Sequence, residues 1–330
     1  MAKYIIKRLL MMIPILLGIS FLVILLIDIT PGDPARLILG TQATPQQVAE
    51  LRDKMGLNDP MMVRYFRFIG GVLKGDFGNS FSNSRSVWTE MMQRFPYTLL
   101  ISGLSLILSV LIGVPLGVYA ATHQYTWKDN AAIVASLFCV SMPSFWFALI
   151  LVQVFCVKLG WLPPSGIEKW QGWILPTISL ALGYAAGISR QMRSSMLEVI
   201  RQDYITTARA KGQTENKVLY RHALKNALIP IIMTVGSIFG MSLGGALIAE
   251  VIFSVPGLGS YTLSGLTQRD YPVIQGSVLF LSALFSVVIL LIDIMFAFID
   301  PRIRSQYVVR KKKYEMKIEG KEEVLSSGKA

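Results

Sequence analysis

Six stretches of this sequence are long enough to cross a bilayer and carry no charged side chain: 9–27, 95–127, 130–157, 170–189, 226–249 and 271–292. At about 1.5 Å per residue, roughly 20 helical residues cover the hydrocarbon core, so each stretch suffices. Only 16% of the 330 residues are charged and 53% are hydrophobic, against about 25% charged in a typical soluble domain. That balance excludes a disulfide-stapled secreted domain, a disordered chain and an ordinary water-soluble enzyme. The net charge of +12 would also suit a nucleic-acid partner, but its distribution points elsewhere. Cys139 and Cys156 fall in one apolar run without a CxxC pair, and His123 and His222 form no HExxH. The cysteines read as small apolar packing residues rather than redox or metal sites, and a zinc hydrolase has no support. No GxxxxGK[ST] occurs, so a phosphate loop for ATP is absent from the chain.

Basic residues orient the spans. Lys3, Lys7 and Arg8 precede the first apolar run, and no small-x-small cleavage pattern follows it. An uncleaved anchor over 1–29 is expected. With the N-terminus in the cytoplasm, twenty-one basic residues lie on the inner side and three, Lys158, Lys169 and Arg269, on the short outer loops. The positive-inside rule therefore places both termini in the cytoplasm. The fold expected is an all-α polytopic membrane protein with six transmembrane helices. Residues 30–94 form an extracytoplasmic, partly helical segment. A core over 95–303 holds five spans at about 96–120, 131–157, 172–190, 227–249 and 273–299, and 304–330 is a basic cytoplasmic tail attracted to anionic headgroups.

Within 30–94, Thr44-Pro45-Gln46-Gln47 reads as a capping box opening a helix that stops at Gly56. A second helix is expected from Asp59-Pro60 to Gly70-Gly71, with Arg64 and Arg67 toward water or headgroups. It serves either to cap the spans or to dock a soluble partner. Gly113 and Gly117, and Gly236, Gly240 and Gly244, are small-xxx-small rows that let helices approach closely. Asp28 reads as an interfacial residue. Asp293 lies about 10 Å deeper than Asp300 along its helix; such a carboxylate is a functional candidate, or else pairs with a base such as Arg302 or one in the loop from Arg190.

The segment 190–225 has eight basic and three acidic residues and is too long for a simple hairpin. Asp203 to Gly212 reads as a short helix stopped by glycine, and Thr214 as the cap of another. Solvated positive charge accounts for the composition; the Ala208-Arg209-Ala210-Lys211-Gly212 core, with small residues at a turn, also permits close approach of another protein. Thr206-Thr207-Ala208-Arg209-Ala210-Lys211-Gly212, followed by Arg221-His222-Ala223-Leu224-Lys225-Asn226-Ala227-Leu228-Ile229-Pro230, resembles the coupling-loop signature of permease subunits of binding-protein-dependent ABC importers. Thr206 stands in the Glu place of the general signature, Thr207 in the first Ala place, His222 in the Ile place and Lys225 in the Pro place. These departures are the form of the oligopeptide, dipeptide and nickel branch. Thr30-Pro31-Gly32-Asp33-Pro34-Ala35, Gly75-Asp76-Phe77-Gly78 with Ser80, Phe95-Pro96-Tyr97-Thr98-Leu99, Glu250 to Gly259 and Asp300-Pro301-Arg302 resemble the same branch. The long outer segment marks the first-permease type.

The resemblance implies a permease in a prokaryotic cytoplasmic membrane, forming half of a pathway for di- or oligopeptides. Nickel chelates are the alternative within the branch. It implies no cofactor in this chain: ATP and Mg²⁺ belong to two cytoplasmic ATPase subunits. The other partners implied are a second homologous permease, an extracytoplasmic substrate-binding protein and the lipid bilayer, with no nucleic acid. Thr206 to Gly212 would sit in an ATPase groove. Phe253, Pro256, Gly257, Leu258 and Gly259 would form an outer gate or a binding-protein contact. From residues alone, that segment reads equally as a connecting turn, irregular because Pro256-Gly257 interrupts a helix. A secondary transporter or channel driven by an ion gradient is the alternative of another class, and predicts several buried ionisable groups or broken helices near mid-membrane, where Asp293 is the one serious candidate.

Overall fold

The computed structural model describes residues 2–40 and 42–299. The expected tail over 304–330, the Asp300-Pro301-Arg302 end of the last span and the candidate partner Arg302 lie outside the described residues. Helix α1, Ala2–Ile29, is the first apolar run. Three short helices follow. In α2, Pro34–Leu39, the Asp33 carboxylate accepts the Ala35 N–H and proline takes the first turn. In α3, Pro45–Lys54, Thr44 and Gln47 make the reciprocal capping box. Helix α4, Met61–Val72, lies along α1, where the Tyr65 hydroxyl donates to the Leu17 carbonyl at 3.1 Å. Arg64 does not face water as the sequence suggested: it pairs with Asp28 at the end of α1, and its side chain is 16% exposed.

Besides α1, the spans are α5, Val87–Thr122; the pair α6, Trp127–Ser141, and α7, Ser144–Leu151, the latter continued by π turns over Val152–Lys158; α8, Ile174–Ile200; α11, Leu224–Gly245; and α14, Tyr271–Ile299. Between them lie α9, Asp203–Ala210, α10, Glu215–Lys217, α12, Leu247–Ile252, and α13, Leu258–Gln268. Five stretches qualify alone as membrane crossings: Ile5–Ile29, Val87–Thr122, Trp170–Ile200, Glu215–Gly244 and Tyr271–Met295. The span expected at 131–157 is not one helix. It breaks into α6 and α7 with a 97° bend. Pro143 is the cause: it has no N–H, and it pushes Met142 to extended geometry at φ −75°, ψ 127°.

Two other expectations shift. Because α8 runs to Ile200 and helix resumes at Glu215, the basic segment 190–225 is mostly helical, leaving 201–214 to project. The stretch after Gly257, expected to be irregular, is the eleven-residue α13. The turn itself is confined to Phe253–Gly257.

Among the described residues, α5 packs most extensively against α8. Ser102, Ser105, Ser109, Gly113 and Gly117 of α5 are all buried, recurring every three or four residues. A Cβ on Gly113 would meet the Ala185 carbonyl at 2.6 Å, and one on Gly117 the Ser189 carbonyl at 2.5 Å. The register rises together along both helices, so they run parallel, and α6 with α7 makes the return crossing. On α14, Ile292 meets Gly236 and Phe285 meets Gly240, an antiparallel register. One end of the bundle thus gathers Arg8, Asp293, the 123–126 turn and α9. The other gathers 30–86 and 253–271.

Candidate functional site

Helix α9 is held at the basic end by two residues one turn apart. Ile205 is fully buried and Ala208 is 8% exposed. They enter a cluster with Val118 of α5, Ile188, Met192 and Met196 of α8, Val218 and Ala223 of a second π-helical stretch, Val218–Ala223, that leads into α11, and Ala227 and Ile231 of α11. The opposite face, Thr206, Thr207, Arg209 and Ala210, is exposed, and so are Lys211 and Gly212 beyond it. Ala208 therefore serves as an anchor, and its neighbours form the presented face.

The turn after α9 is closed by backbone and charge. Gly212 has φ +75°, which favours glycine, and its N–H donates to the Arg209 carbonyl at 2.9 Å. A Cβ there would meet nothing within 4 Å, so the protein itself leaves that space open. Arg209 makes two hydrogen bonds to Glu215, at 3.0 and 2.7 Å. The carboxylate raises the arginine further above its already high value. Both side chains are exposed, so the pair shapes the turn and adds little stability, about 0–1 kcal/mol. Asn226 donates to the Tyr204 hydroxyl at 2.8 Å, and His222 meets Gln213 at 2.8 Å. Sequence reasoning did not assign these framing roles to Glu215, Tyr204 or Gln213; the contacts span six to 22 residues, and no local pattern announces them.

At the other end, Glu250 is 0% exposed. Its Oε1 accepts the Thr98 hydroxyl at 2.6 Å and its Oε2 the Ser260 N–H at 2.8 Å. Thr98 in turn accepts the Leu258 N–H at 2.8 Å. The carboxylate thereby satisfies the first turn of α13 directly and through Thr98, the usual need of a helix start. Burial pushes the Glu250 carboxyl above the ordinary glutamate value, while the Thr98 hydroxyl and the Ser260 and Gly259 N–H groups pull it down. Of the turn residues singled out from sequence, Phe253, Gly257, Leu258 and Gly259 are buried and Pro256 is exposed. Glu250, the group that organises them, was quoted only as part of a motif.

Asp270 is likewise buried. Its Oδ2 accepts from the Ser80 hydroxyl at 2.5 Å, the Ser82 N–H at 3.1 Å and the Ser82 hydroxyl at 3.0 Å. This bond set explains Ser80 in the outer motif: it ties the 76–86 loop to the start of α14. Asp293 lies 3.0 Å from Arg8 of α1, a charge contact without an aligned hydrogen bond at Oδ2. The cation is on the first span, not on the inner loop considered from sequence.

Comparison with known proteins agrees with this arrangement. Residues 113–305 match the family described as binding-protein-dependent transport system inner membrane component, and 1–102 match its N-terminal region. The glutathione transport system permease protein GsiC of Salmonella paratyphi A is 42% identical over 304 residues, 92% of this chain and 99% of that protein. The protein of the same name from Escherichia coli (strain K12) is 40% identical over the same coverage. An inward-facing structure of the MetNI methionine ABC transporter superposes with a TM-score of 0.56 at 18% identity, covering 64% of this chain and 96% of the other, and so shows a shared fold. The chain belongs to the binding-protein-dependent ABC importer permeases, in their peptide and oligopeptide branch, as a multi-pass protein of the bacterial inner membrane.

Proposed function

We propose that this permease forms half of the pathway by which a peptide enters the cytoplasm, paired with a second homologous permease and driven by two ATPase subunits. The chain binds no nucleotide of its own in this reading; ATP and Mg²⁺ sit on the ATPases. Thr206, Thr207, Arg209, Ala210, Lys211 and Gly212 would meet an ATPase groove, with Ala208 anchoring their helix. The observation that carries this is α9: exposed on one face, locked by Ile205 and Ala208 into the cluster of α5, α8 and α11 on the other. ATP-driven movement of the groove would be transmitted to the spans through that cluster as a rigid-body shift. The turn at Phe253, Pro256, Gly257, Leu258 and Gly259 would set α13 at the outer gate. Asp293, paired with Arg8, would be a structural ion pair rather than a step of an ion relay. The relatives' name makes glutathione, a tripeptide, the first substrate to assay.

The test uses the open space at Gly212. In the assembled complex, Gly212→Asn keeps a residue that tolerates positive φ, and Gly212→Trp fills the space. Uptake and substrate-stimulated ATP hydrolysis are expected to persist in the first and to fall at least tenfold in the second. Full activity of Gly212→Trp would remove α9 as the ATPase contact.

A further inference from the structure

Two arginines at the outer end, Arg36 and Arg269, have no ion pair among the described residues and line one cavity of about 440 Å³. Arg269 closes α13 in the left-handed region, at φ 53° and ψ 39°, unusual for a residue with a side chain. Its guanidinium is pressed against the loop after α1: a Cβ on Gly32 would collide with Nη1 and Cζ. Nη1 is buried without a hydrogen-bond partner. That nitrogen is sealed against Gly32, and the residue also lines the cavity, where Arg36 stands as the second unpaired cation.

The carboxylates nearby are already engaged. Asp33, on the cavity wall, is 3.2 Å from Arg52 and accepts the Ala35 N–H at 3.1 Å. Asp270 holds Ser80 and Ser82 through Oδ2, leaves Oδ1 unpaired, and is not part of the cavity lining. On the cavity lining itself Asp33 is paired with Arg52, which leaves Arg36 and Arg269 as its unpaired charges, and a guanidinium fork matches the two oxygens of a carboxylate.

We propose that the Arg36–Arg269 pocket receives an acidic side chain of the extracytoplasmic binding protein, completing on docking an ion pair that the permease alone leaves open. The proposal rests on the reading that a binding protein delivers substrate at this end. The loop that builds the pocket follows Ile29, the last residue of the first crossing, and so projects past the hydrocarbon.

The test is made on the complete transporter in nanodiscs of purely zwitterionic lipid, with purified binding protein titrated and ATP hydrolysis read. Arg36→Gln and Arg269→Gln are each expected to raise the binding-protein concentration at half-stimulation by about fivefold or more, the scale of a close charge pair across an interface, and to flatten its salt dependence. Arg269→Lys should recover part of the loss. Hydrolysis without binding protein should stay at the wild-type rate. Unchanged half-stimulation in Arg36→Gln, a change at an exposed residue, would overturn the proposal. So would an effect seen only when anionic lipid is added, which would make the occupant a headgroup. Failure of the wild-type complex to respond to any binding protein would instead sink the functional reading on which the proposal rests.

Discussion

Glu250 shows how one side chain can dictate the identity of residues several positions away. The carboxylate fills the place where a Cβ of Gly257 would stand, with Oε2 at 2.5 Å from it. It could move aside only by giving up Thr98 and Ser260, so glycine at 257 and glutamate at 250 form one unit. Gly257→Ala is expected to destabilise the purified complex by about 1–3 kcal/mol, the usual cost of overpacking. Glu250→Ala should cost a similar amount by leaving the N–H of Ser260 without its acceptor. The two costs should not add: with Glu250 gone, the alanine methyl has room. Thermal unfolding of both single variants and the double variant checks this, and strict additivity would refute the coupling.

Among elements, α8 links two structures at the basic end. Met192 and Met196 share a buried cluster with Ile205 of α9, while Arg193 holds Asp129 of α6 through two bonds of 2.6 and 2.7 Å. Asp129 is 1% exposed and Arg193 23%, and Asp129 also accepts the Tyr125 N–H at 3.1 Å. A shift of α9 would therefore reach α6 as well as α8. Asp129→Asn is expected to lower peptide taken up per ATP hydrolysed by about threefold or more, because a broken ion pair in a shielded site leaves its cation unbalanced. Hydrolysis itself should continue. Exchange of the two residues, Asp129→Arg with Arg193→Asp, should recover part of the ratio. A normal ratio in the single variant would show that α6 does not share the movement.

For the whole molecule, the charge bias and the paired motifs define two ends, and the orientation can be read by labelling. With Cys139 and Cys156 replaced by serine, Leu73→Cys and Tyr125→Cys place thiols on residues 83% and 82% exposed at opposite ends. A membrane-impermeant maleimide is expected to modify the first in intact cells and the second only after permeabilisation. The reverse pattern would invert the topology and, with it, the assignment of α9 to the ATPase side.

Much of this architecture was legible in the chain. Charge-free stretches of sufficient length follow from the bilayer's low dielectric, and the side on which lysine and arginine accumulate follows from the positive-inside rule; neither needs a neighbour to interpret. The capping box at Thr44 and the glycine stop of α9 are local in the same way. The break at Met142-Pro143 was hidden inside one apolar run, because hydropathy does not register the N–H that Pro143 lacks. Likewise α13 was masked by the proline and glycine before it. Glu250 with Thr98 and Asp270 with Ser80 lie 152 and 190 residues apart, and Arg8 meets Asp293 from the far end of the chain. Such pairs obey no sequence period. Only the packed helices decide which carboxylate finds which donor, because burial makes every unpaired polar atom costly and leaves few arrangements that satisfy them together.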